Sequence, residues 1–462
     1  MVAKTILVKG GVVLTVLLFA ASFAYAAPTN EDIMKRLEQM EQELKQLKQV
    51  NTELRNKVDQ QSKVDLGTKA GPADLNEIQR MVVQDRKDIA ELKESAGMAS
   101  QGMKAVLGKY NMQIYGRVKV DLNYDTAEFR KYNDFIGVVG RGDSGHSSTN
   151  FNPRDSRFGL KVARRDDQWL SEARIETDFY GDNNGNNLIP RMRLGYVKVT
   201  NDDWKANLTV GQDWIPVAQL NPPTIDFGVM ASAGNLWWRV PQITLRKNVG
   251  DFEFLVSAMR HRRIDTSENN RIWGLARIAY AGGILGKGGL IALGGGWSQE
   301  KLTNGNNNTN DGVDKWMMAL ELKYVLGKFT FMAEPWIGEG MDREWLRYDM
   351  GINTRDYTVA QTGRPDTIKS KGFWAAVSYK PTYKWAFNTG VGMDDPDNDD
   401  MDGMKGFLND RQFTKNTYVF ANTWYSLTSA VKMGVEVIHL ETERFNKTDK
   451  GWRYTFSTMY NF

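Results

Sequence analysis

The sequence predicts an all-β transmembrane barrel of about sixteen antiparallel strands, preceded by an N-terminal α-helical coiled coil. Three observations predict this fold class. An apolar leader opens the chain, a heptad repeat of apolar side chains follows it, and from Tyr110 onward apolar and polar residues alternate. A repeat near 3.5 residues is that of a coiled coil, and strict alternation is that of a half-buried β-strand.

Residues 1–26 have the parts of a secretory signal peptide. Lys4 and Lys9 precede an apolar run at 12–21, and Ala24-Tyr25-Ala26 offers small residues for cleavage. The run is shorter than the roughly 20 residues that a membrane-spanning helix needs. We therefore expect cleavage after Ala26 and export from the cytoplasm, with an uncleaved anchor as the alternative.

Residues 27–66 carry the coiled-coil pattern. One seam of a helix collects apolar side chains at alternating spacings of four and three: Ile33, Leu37, Met40, Leu44, Leu47, Leu54 and Val58. Asn51 fills an a position, where a buried amide costs stability but selects register and oligomeric state. We expect a stalk that joins subunits; an isolated amphipathic helix on another surface is the alternative. Residues 67–109 predict a second helical segment and a linker.

Composition excludes several classes of site. The chain has no cysteine, so disulfides and thiolate metal sites are absent, and its formal charge of +4 gives no reason to expect a nucleic-acid partner. We expect neither a cofactor nor a metal site.

The barrel is predicted for residues 110–462, and its first strand shows the alternation most clearly. Val118 and Val120 share one face, and Arg117, Lys119 and Asp121 share the other. In a lipid-embedded barrel the apolar face points outward and the polar face lines the lumen. The opposite orientation would place Arg117 and Lys119 in lipid, at about 2–4 kcal/mol each near the midplane.

The alternation recurs to the C-terminus. Seven short turns should alternate with eight long loops, including 126–155, 338–371 and 394–411, as in bacterial outer-membrane barrels. The predicted strands lie near 111–125, 156–164, 169–180, 191–200, 204–215, 239–248, 252–260, 271–280, 289–299, 314–325, 328–337, 372–380, 384–393, 412–425, 430–440 and 451–462.

Aromatic residues near the strand ends predict the interfacial girdles of a membrane barrel. They include Trp169, Trp204, Trp214, Trp316, Trp385 and Trp452. The last strand ends in Phe462 and resembles the signal read by the bacterial barrel-assembly machinery. A soluble β-sandwich or propeller is the alternative, but it would need an apolar inner face that these strands lack.

Charged side chains on the polar faces are the candidates for function. Basic residues dominate strands one to six and stand beside Asp121, Glu176, Asp178 and Asp213. They could attract anions into a narrow pore, or pair with the acids and stiffen the wall. The basic candidates for pore lining and anion binding are Arg117, Lys119, Arg157, Lys161, Arg174, Arg191, Arg193 and Arg246.

The third long loop, 216–238, is apolar. It contains Pro222, Phe227, Trp237 and Trp238, and an exposed apolar loop of this size would be costly. We expect it to fold into the lumen as a constriction, with packing against a neighbouring subunit as the alternative.

A different loop is rich in aspartate and contains Asp394, Asp395, Asp397, Asp399, Asp400 and Asp402. We expect it to be solvated, because the EF-hand glycine is missing, although Ca²⁺ binding stays open.

Catalysis is not predicted. The histidines are His146, His261 and His439, and the chain has no G-x-S-x-G motif. No serine or carboxylate is evidently paired with His439.

Several motifs resemble the DcaP-like porins. The similar stretches are Ser156-Arg157-Phe158-Gly159-Leu160-Lys161, Glu176-Thr177-Asp178-Phe179-Tyr180-Gly181, Arg191-Met192-Arg193-Leu194-Gly195-Tyr196-Val197, Gly211-Gln212-Asp213-Trp214-Ile215-Pro216 and Arg239-Val240-Pro241-Gln242-Ile243. The resemblance covers strands two to six and the order of coiled coil before barrel.

The resemblance implies a sixteen-stranded homotrimeric porin of the outer membrane, with its stalk in the periplasm. Its lumen would pass small organic anions, including dicarboxylates, and Arg157, Arg191, Arg193 and Arg239 would line the pore. We expect passive diffusion of small hydrophilic solutes. Two alternatives remain: a structural anchor whose stalk binds a periplasmic partner or peptidoglycan, and a sheath for a separate electron-transfer protein.

Overall fold

The computed structural model describes residues 103–107, 109–129, 137–140, 144–181, 188–262, 271–304, 307–341, 343–347, 350–353, 366–402 and 412–462. The predicted signal peptide, coiled coil and second helical segment lie outside the described residues. The described chain is β structure with two short 3-10 turns, Gly283–Leu285 and Arg343–Trp345. No helix in this part of the chain is long and apolar enough to cross a membrane.

The described strands are β1 Met103–Leu107, β2 Tyr110–Ala127, β3 Ser144–Asn152, β4 Arg157–Asp166, β5 Trp169–Asp178, β6 Arg191–Asn201, β7 Ala206–Trp214, β8 Arg239–Val249, β9 Phe252–Arg260, β10 Ile272–Tyr280, β11 Leu290–Asn304, β12 Asn307–Leu326, β13 Phe329–Glu339, β14 Ile352–Asn353, β15 Asp366–Thr367, β16 Lys369–Tyr379, β17 Trp385–Pro396, β18 Lys415–Ser426, β19 Val431–Arg444 and β20 Lys447–Asn461.

All but β14 and β15 form one antiparallel sheet that closes on itself, because β2 pairs with β20. β3 and β4 lie end to end beside β2, and β1 continues the line of β20 along the other edge of β2. The described sheet is therefore a closed barrel with sixteen strand positions, as predicted. Backbone hydrogen bonds between Phe462 and Gly116 extend the seam to the last residue.

The alternation of the sequence is the alternation of the wall. On β2, Val118 and Val120 are 52% and 38% exposed, whereas Lys119 and Asp121 are 2% and 4% exposed. Trp452, Tyr454, Phe456, Tyr460 and Phe462 likewise share the exposed face at the end of the chain. An exposed face this apolar is suited to hydrocarbon, and the buried polar face lines the lumen.

Two stretches between predicted strands contain strand residues that the alternation did not predict. Residues 126–155 contain β3, and β11 and β12 extend to Asn304 and Asn307. Both stretches are polar on both faces, because strands that rise above the bilayer meet water outside as well as inside. Apolar and polar residues alternate only in the lipid-embedded part of a strand. The prediction from alternation therefore did not include these extensions.

The aromatic girdle is present with one exception. Trp169 and Trp204 meet edge to face with ring centres 5.4 Å apart, and Trp385 and Trp452 are both about two-fifths exposed. Trp214 was wrongly placed in the girdle: its ring packs in the lumen against Trp237, with ring centres 5.9 Å apart. Gly211, whose φ is +134°, precedes it on β7 and breaks the regular alternation there.

Long loops fold into the barrel and make an apolar core there. Described residues of five loops contribute to one buried cluster: L1 (128–143), L2 (179–190), L3 (215–238), L6 (340–368) and L7 (397–414). The described members of this cluster are Val138, Tyr180, Phe227, Ala231, Trp237, Leu346, Met350, Ile368, Met401 and Phe413. L3 and L6 are therefore packed on each other.

Candidate functional site in the barrel lumen

L3 runs inside the barrel. Phe227, Trp237 and Pro222 are buried and Trp238 is half-buried, so the structure places all four predicted loop residues in the interior. Val229, Met230 and Ser232 adopt positive φ, a conformation that costs energy for residues with a side chain. Such a backbone persists only where its surroundings hold it.

Polar side chains of the wall hold the first half of L3. The Glu436 carboxylate accepts hydrogen bonds from the backbone amides of Ile225 and Asp226, both at 2.7 Å. Asn422 Nδ2 donates to the Pro223 carbonyl at 2.8 Å, and Lys119 Nζ donates to the Ile225 carbonyl at 2.7 Å. The tip of L3 is therefore fixed to β2, β18 and β19.

The second half of L3 is held by β13, β16 and β18. Trp336 Nε1 donates to the Gly234 carbonyl at 2.7 Å, and Asn416 Nδ2 donates to the Ser232 carbonyl at 2.8 Å. At Gly234, φ is +97°, and a Cβ would lie 1.9 Å from the Phe373 carbonyl oxygen. Only glycine allows this close approach.

A first group of predicted basic residues surrounds Asp155. Arg117 forms a short ion pair with the Asp155 carboxylate, Lys119 Nζ lies 3.1 Å from it, and Arg157 lies 3.0 Å from it. Asp155 was not predicted. It lies between β3 and β4, where four residues of that line, 153–156, face three of β2, 118–120. Such an extra residue locally changes the direction of the side chains, and the Asp155 side chain is buried.

A second group lies around Glu176 and Asp178 on β5. Arg193 is 1% exposed and bonds Glu176 at 2.8 Å and Asp178 at 3.0 Å. Arg191 forms a two-bond pair with Asp178 at 2.8 and 3.0 Å, and Arg174 bonds Glu176 at 3.0 Å. Both predicted acids are thus surrounded by arginine.

Arg239 on β8 joins this group through aromatic rings. Its guanidinium carbon lies 5.0–5.1 Å from the ring centres of Trp214, Trp237 and Trp238. Its nearest charge partner is Asp178, at 4.0 Å. Cation–π contacts thus provide most of the favourable surroundings of this 5%-exposed cation.

The remaining predicted basic residues lie apart from these groups. Lys161 pairs with Glu172 at 2.6 Å, and Arg246 pairs with Glu253 at 3.4 Å. Lys161 is more than one-third exposed. These two residues, and Arg174, form ion pairs with acids of the barrel wall, which was the alternative to anion binding in the sequence analysis.

Three guanidinium groups keep N–H groups to spare. Within the described part of the chain, Arg157 Nε, Arg193 Nη2 and Arg239 Nη1 are buried and have no hydrogen-bond partner. A buried N–H without an acceptor is costly, and the cost is removed when an anion binds. The arrangement can therefore receive an acceptor-rich, negatively charged solute.

A cavity of about 240 Å³ lies between L3 and the barrel wall, and Arg157 and Arg193 are among its lining residues. Four basic residues line it, Arg117, Lys119, Arg157 and Arg193, against two acids, Asp155 and Asp226. Aromatic and apolar side chains of L3 complete the lining, among them Phe227 and Trp237. The cavity has a positive balance and a partly apolar wall.

Asp226 at the L3 tip is a charge that sequence reasoning missed. Its carboxylate accepts from Arg453 Nη1 at 3.1 Å and from the Gly228 amide at 2.8 Å. Burial raises the pKa of Asp226 to about 6, although Arg453 acts in the opposite direction. An Asp two residues before a glycine in an apolar loop was the available sequence signal.

The acidic loop is only partly a loop. Asp394 lies inside β17 and is buried in a two-bond pair with Arg347 at 2.7 and 2.9 Å, so its assignment to a solvated loop was wrong. Asp395 lies 3.3 Å from Lys371. Among the described residues, no group of three or more His, Cys, Asp or Glu side chains is arranged to hold a metal ion.

Two histidines differ in their surroundings. His439 stacks on Trp452 on the outer face, with ring centres 4.4 Å apart. His261 is buried between Glu344, at 2.7 Å from Nδ1, and Ser298, at 2.8 Å from Nε2. This order resembles a hydrolytic triad, but Ser298 is 0% exposed and bonds the Ile272 carbonyl at 3.0 Å. No substrate can reach a nucleophile so enclosed.

Solved structures provide a comparison for the fold. The outer-membrane channel DcaP of Acinetobacter baumannii matches with a TM-score of 0.64 and 19% identity, over 78% of this chain and all of that one. The chain has the fold of an outer-membrane porin. The anion-selective porin of Comamonas acidovorans (TM-score 0.52, 13% identity, 76% of this chain and 100% of that one) shares this porin fold.

Salmonella typhi OmpF in complex with daunomycin shares the porin fold as well, with a TM-score of 0.51 and 12% identity over 78% of this chain and 100% of that one. No protein-family model and no curated protein matches the sequence. At these identities the likeness establishes the fold, and the resemblance found in the sequence motifs is confirmed at that level.

Proposed function

We propose that this protein is an outer-membrane porin through which small organic anions, including dicarboxylates, diffuse passively. The observation that carries the proposal is that two buried guanidinium groups with an unpartnered N–H, those of Arg157 and Arg193, line the L3 cavity. Carboxylates are planar acceptors that match the fork of an arginine. The anion-selective Comamonas porin with the same fold supports this choice.

Electrostatics favours anions over cations at this point. Four cations and two carboxylates line the cavity, and a narrow passage with protein walls focuses their field. The apolar side chains opposite let the carbon skeleton of a solute shed water while its charge is held. A weak site of this kind speeds passage, because binding is favourable but release stays fast.

Transport without chemistry is the proposed activity, so the protein is not an enzyme. The enclosed Ser298 supports this, and so does the likeness of the fold to channels. The assembly is proposed to be a homotrimer joined by the predicted coiled coil, which would lie in the periplasm. Insertion through the barrel-assembly machinery, guided by the strand ending in Phe462, belongs to the same proposal.

Planar bilayers test the function directly. Purified protein should insert in three-step conductance events, and a KCl gradient should give a reversal potential on the anion side. Absence of any conductance would contradict transport, and strong cation preference would contradict the proposed selectivity. Single-step insertions would contradict the trimer alone.

A further inference from the structure

L6 is fastened to the barrel wall by a buried charged cluster that the proposed transport site does not use. The cluster joins His261 after β9, Ser298 and Glu300 on β11, Lys315 on β12 and Glu344 in the L6 turn Arg343–Trp345. All five residues are at most 4% exposed. The fastening is thus shielded from water.

The charge of this cluster depends on one proton. Among its described members, Glu300 and Glu344 are carboxylates and Lys315 is a cation, which bonds Glu300 and lies 3.9 Å from Glu344. With neutral His261 the described cluster carries one net negative charge, and with protonated His261 it is balanced. Arg260 and Arg262 flank His261 in sequence, and Arg262 stacks on Trp238 at 3.6 Å.

The hydrogen bonds accommodate the protonated ring. Ser298 Oγ donates to the Ile272 carbonyl at 3.0 Å, so its lone pairs can accept from His261 Nε2 at 2.8 Å. Nδ1 then donates to Glu344 Oε1 at 2.7 Å. Burial raises the pKa of Glu344, but Lys315 and the bond from His261 outweigh it and hold the pKa below its ordinary range.

L6 in turn supports L3. Trp345 packs edge to face on Trp273 with ring centres 5.5 Å apart, and Arg347 is anchored on Asp394. The Ser232 hydroxyl of L3 donates to the Leu346 carbonyl at 2.8 Å, and Leu346 shares an apolar cluster with Phe227 and Trp237. Movement of residues 343–347 would therefore loosen the lining of the cavity.

We propose that His261 and Glu344 form a pH-sensitive strap, which holds L6 and L3 in place when His261 is protonated and loosens when it is neutral. Imidazole is the side chain whose charge ordinarily changes between pH 5 and 8. Because Glu344 must stay ionised while His261 is protonated, the strap is tighter in mildly acidic than in alkaline solution. The effect on conductance rests on the proposed transport function.

Hydrogen exchange of the full-length protein in detergent tests the strap without any need for conductance. Between pH 5.5 and 8, protection of the amides at 344–347, corrected for intrinsic exchange, should fall roughly fivefold, because a charge-assisted hydrogen bond is roughly twice as strong as a neutral one. His261→Gln should abolish this change, and the outward-facing His439→Gln should retain it. Unchanged or rising protection in the wild type, or a pH response that persists in His261→Gln, would overturn the proposal.

A second variant covers the case in which His261→Gln fails to fold. Glu344→Gln removes the charge partner and should also abolish the pH response; a response equal to that of the wild type would contradict the strap. In bilayers, wild-type conductance should be lower at pH 5.5 than at pH 8. A protein without conductance would refute the transport proposal, while the exchange experiment would still decide the strap.

Discussion

Arg157 isolates the contribution of one guanidinium group to selectivity. Its acid partner, Asp155, also bonds Arg117 and Lys119, so removal of Arg157 does not leave this buried carboxylate without a cation. Arg157→Gln should lower the anion-to-cation permeability ratio by roughly twofold to threefold, because one of four cations leaves the cavity. Reversal potentials in bilayers measure the ratio.

Arg164→Gln is the matched control for that substitution. Arg164 is partly exposed near the short turn between β4 and β5. It pairs with Asp166 at 2.8 Å, lies over the Tyr110 ring at 5.7 Å from its centre and does not line the L3 cavity. Its loss should leave the permeability ratio unchanged. Equal effects of the two substitutions would show that selectivity reflects total charge and not the cavity.

Asp226 gives the selectivity a pH dependence of defined sign. Its pKa is raised to about 6 by burial, so protonation between pH 7.5 and 5 removes one of the two acids lining the cavity. Anion preference should therefore rise on acidification. The same raised pKa means that ionisation above pH 6 costs stability, which is recovered as the pH falls toward the ordinary carboxyl range.

Asp226→Asn tests this assignment, because the amide is neutral at every pH. At every pH the variant should show the anion preference that the wild type shows at acidic pH. Most of the pH response of the reversal potential should therefore be lost. A wild-type preference that falls on acidification would be incompatible with the assignment.

At the scale of single elements, L3 depends on wall residues far away in sequence. Glu436 accepts two backbone amides of the L3 tip and a hydrogen bond from Asn422 at 2.8 Å. Glu436→Ala should free the tip and raise single-channel conductance by roughly one-and-a-half to twofold, with more current noise. Single-channel recording provides the measurement.

Glu172→Gln serves as the control for Glu436→Ala. Glu172 is also a buried acid of the lumen wall, but it bonds Tyr196 and Lys161 instead of L3. Conductance should match the wild type. A Glu436→Ala channel with unaltered conductance and noise would mean that apolar packing alone positions L3.

Sequence reasoning located the elements of the wall better than the elements inside it. Strands that cross lipid must present an apolar face, so β2 and β20 could be recognised from alternation alone. The contacts of L3 could not, because Glu436 lies more than 200 residues from Ile225 and its role has no local signature. Asp155 and Trp214 were missed or misplaced because each sits beside a break in regular alternation.

On the scale of the whole molecule, the barrel separates two tasks. Outward side chains meet hydrocarbon, and inward side chains build ion-pair groups around a small cavity closed by L3. Of the predicted basic residues, Arg117, Lys119, Arg157 and Arg193 line that cavity. Arg191 and Arg239 lie beside Asp178, and Lys161, Arg174 and Arg246 mainly pair along the wall. The concentration of basic residues on the first six strands was predictable from the sequence. Their individual acid partners became evident only from the structure.

Uptake by proteoliposomes of two solutes with equal carbon chains tests the central claim most directly. Succinate and 1,4-diaminobutane both have four carbons. Succinate carries two negative charges and the diamine two positive charges, so the comparison separates the effect of charge from that of size. The anion-binding cavity predicts faster entry of succinate, with a smaller difference in Arg157→Gln. Equal rates, or faster entry of the diamine, would contradict an anion-selective lumen.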